Sequence, residues 1–198
     1  HGFTGGPRFV VRIMKKSDLQ NLTDEQLIEL YGAGEALAGE VLLARHRPGI
    51  YRFFARKIPE ADADELTQHV LGVLARVPRR EEPLRSTPRS FLFGVARMTL
   101  RQYCSRKAND RKFDPELDSL AALDPSLSKQ LSERNRLDWL STAIETLPIE
   151  TQILLDLRYG QGLGYREIAA IYDEPEPTLR RRMQAIKAKL QAMRQRFE

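Results

Sequence analysis

The sequence is almost without cysteine: Cys104 is the one thiol among 198 residues. A single thiol closes no disulfide within the chain and builds no thiolate zinc site, which fits a reducing compartment. No apolar run approaches the ~20 residues that span a bilayer, and no signal-peptide core stands near the start. The chain is therefore expected in the cytoplasm, with no membrane partner. No segment reads as a strand, and no internal repeat is found. Aromatic residues are few, at 8%, yet 41% hydrophobic and 30% charged residues suffice for a packed core and exclude wholesale disorder. Residues 1–13 lack an initiating methionine and precede Met14-Lys15-Lys16, so they are set aside as non-native leading residues.

What is present is helical periodicity. Thr23 followed by Gln26 reads as a capping box, with Leu27, Ile28, Leu30 and Tyr31 giving the first helix its apolar face. Gly32 and Gly34 break it, and Val41, Leu42, Ile50, Phe53 and Phe54 carry a second helix to residue 57, with a kink expected at Pro48. Residues 62–77 place Leu66, Val70, Val73 and Leu74 on one face of a third helix. Thr87-Pro88 then reads as the cap and first residue of a fourth, whose stripe of Phe91, Leu92, Val95 and Thr99 runs to about residue 107. From 108 to 135 periodicity fades, Asp114, Glu116, Asp118 and Asp124 accumulate, and Pro115 and Pro125 interrupt, which is the composition of a flexible acidic linker. Apolar spacing resumes at Leu137, Leu140 and Ile144. A helix opened by Pro148, a glycine turn over 160–164, a short helix over 165–172 and a last helix from about Pro177 to residue 196 complete the chain. The expectation is an all-α chain of two small helical domains joined by that linker.

A short helix, a turn of about four residues and a longer basic helix form helix-turn-helix spacing, in which the second helix enters the DNA major groove. Between 176 and 198 seven basic residues face two acidic ones, a local charge of +5 that equals the net charge of the whole chain. A solvated basic face is the bland alternative, since basic residues commonly gather at helix ends. Three arginines at the start of a helix oppose it: positive charge there is unfavourable unless phosphates or base edges are the partners. A second basic run, from Arg97 to Lys112, also carries +5. With Tyr103, Phe91 and Phe93 nearby it fits a surface for single-stranded nucleic acid, the alternative being aromatics in the core and arginines in water.

Other motifs carry less. Gly160, Gly162 and Gly164 join two helices, whereas a phosphate-cradling loop follows a strand. His46 and His69 lie on different helices with no cysteine or paired carboxylate at metal spacing, and no nucleophile motif appears. No enzymatic activity, cofactor or metal is expected.

Taken in order, residues 44–57 (ARHRPGIYRFFARK), 63–74 (ADELTQHVLGVL), 91–107 (FLFGVARMTLRQYCSRK), 143–159 (AIETLPIETQILLDLRY) and 162–190 resemble an extracytoplasmic-function (group IV) sigma factor of bacterial RNA polymerase. The resemblance implies a region 2 over 14–107 that binds core polymerase and opens the minus-10 element. It also implies a linker over 108–135 and a region 4 over 136–198 whose helix-turn-helix reads the minus-35 element. Carried over residue by residue, the minus-35 contacts fall on Thr178, Arg180, Arg181, Arg182, Gln184 and Lys187. The minus-10 contacts fall on Arg97, Met98, Arg101, Tyr103 and Arg106. The polymerase-docking face falls on Asp62, Glu65, Gln68 and His69. The chain departs from the pattern at Asp173 and Pro177, where glycines are usual, and at Ala185, where arginine is frequent. Met98 stands where an asparagine is usual, and His69 where a second carboxylate is. Core RNA polymerase and promoter DNA are the partners implied, with an anti-sigma factor or a regulatory kinase acting near Thr67 as further ones. Two readings of another class stay open: a stand-alone helix-turn-helix regulator, and a helical protein acting through protein partners only.

Overall fold

The computed structural model describes residues 15–79, 84–108, 113–119, 122 and 139–195, and among the described residues all regular structure is helical. The first half contains α1 (Lys16–Gln20), α2 (Asp24–Gly32), α3 (Ala36–Ala55), α4 (Glu60–Leu74), a 3-10 turn (Val77–Arg79) and α5 (Pro88–Lys107). The second contains α6 (Trp139–Glu145), α7 (Ile149–Leu155), a π turn (Asp156–Gly160) continuing it, α8 (Tyr165–Tyr172) and α9 (Glu176–Arg194).

Local chemistry sets the helix starts. The Thr23 hydroxyl accepts from the Gln26 N–H at 3.3 Å and the Gln26 side chain accepts from the Thr23 N–H at 2.9 Å, closing the capping box of α2. Thr87 accepts from the Ser90 N–H at 3.1 Å, with Pro88 as the first residue of α5. Pro48 lies inside α3, which continues past it to Ala55. An interior proline costs about 3 kcal/mol, but Ile50, Phe53 and Phe54 beyond it are fully buried, each stabilising by about 1.5–3 kcal/mol. Burial outweighs the lost bond. The third helix, expected over 62–77, begins at Glu60 and ends at Leu74.

Helices α2 to α5 pack around Phe53, whose ring meets Phe54 edge-on at 5.2 Å and Phe93 at 5.9 Å. Asp24 ties α2 to α3 through Arg45 at 2.7 Å and His46 at 2.6 Å, and although burial acts against its charge these two partners hold its pKa below the ordinary value. The second half does not stand apart. Leu92, Phe93, Ala96 and Leu100 of α5 belong to one continuous core with Ile153, Ile168, Tyr172 and Leu179, and α8 packs directly on α5. The described part of the acidic linker is also docked: the Pro115 and Asp118 carbonyls accept from the Glu150 and Ile149 N–H groups at 3.1 and 3.0 Å. These bonds satisfy donors that the start of α7 would otherwise leave open. Flexibility is thus not what the structure gives residues 113–119, because backbone acceptors are needed there; most of the remaining linker, like residues 1–13, lies outside the described residues.

Asp173, where the family pattern has glycine, ends α8 in the left-handed conformation at φ 54°. A short polar side chain tolerates that region better than most, so the turn forms without glycine. No helix among the described residues is long and apolar enough to cross a membrane.

Candidate nucleic-acid interface

Helix α8, the turn at Asp173 to Pro175 and helix α9 form the helix-turn-helix. Leu179 and Met183 are buried against the rest of the domain, which turns Arg180, Arg181, Gln184 and Lys187 outward. Arg180 is more than half exposed; its guanidinium lies 4.3 Å from the Tyr165 ring centre and 3.3 Å from Glu176, one turn earlier. Arg181 is exposed, with no ion pair among the described residues. Arg182 pairs with Glu174 at 3.1 Å and with Glu116 of the docked linker at 3.7 Å. Lys187 is fully exposed beside Tyr159, whose hydroxyl raises its pKa. Thr178 is half-buried in the first turn, its N–H bonded to the Pro175 carbonyl at 3.0 Å. Sequence reasoning missed Tyr165, which supports Arg180 from α8; cation–π contact across a turn leaves no periodic trace.

The basic helix α5 is arranged differently from the expectation. Met98 and Arg106 are exposed, but Arg97 is turned into the contact with the second half. Its Nε donates to Glu150 at 2.9 Å and its guanidinium lies 4.2 Å over the Tyr172 ring. Burial acts against its charge, and the Glu150 carboxylate outweighs burial, so the Arg97 pKa is raised. Arg101, part-exposed, reaches the other Glu150 oxygen at 3.4 Å. Tyr103 is 6% exposed and donates its hydroxyl to Asp62 at 2.5 Å, and Phe93 is 3% exposed. Tyr103 and Phe93 therefore serve the core, and the stacking role expected of Tyr103 is corrected, since a buried ring offers no face to a base. Tyr103→Phe should lower stability by about 1–2 kcal/mol in urea unfolding, leaving Asp62 without its donor, and should not change affinity for single-stranded DNA. A loss of DNA affinity at unchanged stability would return Tyr103 to base stacking.

On α4, Glu65, Gln68 and His69 are exposed and Asp62 is half-buried. Gln68 donates to Asp64 at 3.1 Å, and Asp64, absent from the sequence expectation, also pairs with Arg47 at 2.9 Å. Thr67 is fully buried and donates to the Ala63 carbonyl at 2.7 Å, so the hydroxyl imagined for a kinase is closed to one in this fold.

A second ionic contact joins the halves. Asp156, at the π turn, holds Lys57 at 2.6 Å and Arg56 at 2.5 Å. Lys57 is 3% exposed; burial lowers its pKa, against the opposing pull of Asp156. Gly160 is needed here, because a Cβ would run into Asp156 and Arg56. Cys104 is buried, which pushes its thiol up to about 12, and no group of three or more His, Cys, Asp or Glu among the described residues could hold a metal ion.

Among the described residues the fold is all helical and carries a basic helix-turn-helix, the arrangement of many DNA-binding proteins, and residues 137–190 match the family model for sigma-70, region 4. The chain is also 26% identical over 176 residues to the ECF RNA polymerase sigma-E factor of Escherichia coli K12, a match covering 83% of this chain and 90% of that protein. The sigma-E factors of Shigella flexneri and Salmonella typhimurium LT2 match with the same identity and coverage. Both comparisons support a sigma factor of the extracytoplasmic-function type, the class of protein that acts in transcription initiation. That family points to a protein that is not itself an enzyme.

Proposed function

We propose that the chain binds core RNA polymerase and directs it to promoters through two DNA-reading surfaces. Residues 14–107 serve as region 2, 108–135 as the connection and 136–198 as region 4. The observation that carries the reading is the outward row of Arg180, Arg181, Gln184 and Lys187 on a helix fixed by buried Leu179 and Met183. Cations at the start of a major-groove helix suit phosphates and guanine edges. Thr178 and Arg182 lie beside that row and complete the minus-35 surface, Arg182 exchanging its carboxylates for phosphate. Arg97, Met98, Arg101 and Arg106 of α5 supply the minus-10 surface. Asp62, Glu65, Gln68 and His69 of α4 supply the polymerase face, whose carboxylates suit a basic partner.

Run-off transcription with core polymerase and genomic promoter fragments tests the reading. New start sites that depend on the chain are expected. Specific fragment binding without any start site would favour a stand-alone regulator, and neither binding nor start sites would leave only protein partners.

A further inference from the structure

Glu150 is a charged group placed almost wholly out of water. Its side chain is 2% exposed, one oxygen accepts from Arg97, and the other lies 3.4 Å from Arg101 without completing a hydrogen bond among the described residues. Both arginines belong to α5, whereas Glu150 belongs to α7. Around this pair the contact is polar and extensive. Arg89 of α5 donates to the Gln161 carbonyl and approaches Glu167 at 4.0 Å, and Asp156 holds Lys57 and Arg56 of the first half. In each ion pair the second half supplies the carboxylate and the first half the cation.

A carboxylate on a guanidinium presents the same oxygen acceptors as a nucleic-acid phosphate. We propose that Glu150 occupies the place of a DNA backbone phosphate on Arg97 and Arg101, so that the free chain keeps its strand-holding face covered by its own second half. The inference rests on the reading of α5 as the minus-10 surface. Arg97, with 14% of its side chain exposed, cannot meet a phosphate while α7 sits on it. Nor does Glu150 satisfy both arginines fully, since its contact with Arg101 is long. A backbone phosphate, whose two charged oxygens are not fixed in place by α7, is a competent replacement. DNA binding and separation of the halves are then one equilibrium, and the apparent affinity falls by the fraction of chains that are open.

The test is binding of a short fluorescein-labelled single-stranded DNA to the full chain by anisotropy. Glu150→Gln keeps the shape and one acceptor but removes the charge, and should bind about three- to tenfold tighter than the unmodified chain. Arg97→Ala placed in the Glu150→Gln background should abolish that gain. Arg89→Ala removes a cation yet loosens the contact, so it too should tighten binding, a direction that simple charge attraction cannot produce. If Glu150→Gln binds no tighter while Arg101→Ala weakens the unmodified chain, α5 still reads DNA and the covering role is overturned. If neither changes binding, both readings fall. Should Glu150→Gln fail to fold, hydrogen exchange of the unmodified chain decides. Saturating DNA should speed exchange in α7 and α8, and unchanged or slower exchange there overturns the proposal.

Discussion

Asp156→Ala is expected to destabilise the folded chain by about 3–5 kcal/mol, because it strands the charge of Lys57 in a site that is 3% exposed. The Lys57 ammonium would keep only the Phe53 carbonyl at 2.7 Å and the Phe53 ring at 4.0 Å, neither of which carries a net negative charge. For a chain of this size the melting temperature should fall by roughly 6–20 °C. Replacing both partners by apolar residues, Lys57→Met with Asp156→Leu, should recover most of the loss, since the pair's attraction is largely offset by what it costs to dehydrate two ions. Urea unfolding of the single and double variants measures both effects. A loss below about 1 kcal/mol for Asp156→Ala would mean that the halves part and let water reach Lys57.

Arg180→Ala should weaken binding to the preferred minus-35 duplex by about 1–3 kcal/mol while changing a scrambled duplex far less. The guanidinium is presented rather than loose: Tyr165 lies beneath it and Glu176 steadies it, so less side-chain freedom is lost when a base edge is met. Lys187 is a different kind of contact. It stands three turns into α9 on a fully exposed stem, and Lys187→Ala should weaken both duplexes alike and lower the salt slope by about one. Anisotropy titrations of both variants against both duplexes at several salt concentrations separate the two roles. Equal losses of Arg180→Ala on the preferred and scrambled duplexes would remove it from base readout.

Two helix starts were legible because a threonine side chain does the capping, whereas the caps that Glu35 and Glu167 give α3 and α8 were not read. Thr23 with Gln26 and Thr87 with Pro88 mark α2 and α5 in the sequence and in the structure alike. The start of α7 was read from Pro148, but the carbonyls of Pro115 and Asp118 that complete it carry no side-chain signature. Helix α1 was missed because it is short, lacks a side-chain cap and buries only Leu19. The basic row of α9 was visible because three arginines run together at the start of a helix, whereas the buried Leu179 and Met183 that turn it outward were not singled out. The contact between the halves was not. Arg56 and Asp156, or Arg97 and Glu150, sit far apart in the chain, and such pairings follow no period. The same limit explains Tyr103: an aromatic on an apolar stripe reads alike whether it faces a base or a core, and only the position of Asp62 decides it.

The backbone cap on α7 also sets the length of a leash. While Pro115 and Asp118 are bonded to the first residues of α7, the chain from the end of α5 at Lys107 to that anchor can extend at most about 28 Å. Released from it, the same connection can be drawn out from Lys107 to Trp139, about 110 Å. Two backbone hydrogen bonds thus stand between a short tether and one several times longer. On the proposed reading, reaching two separated stretches of a promoter at once begins with the linker letting go of α7.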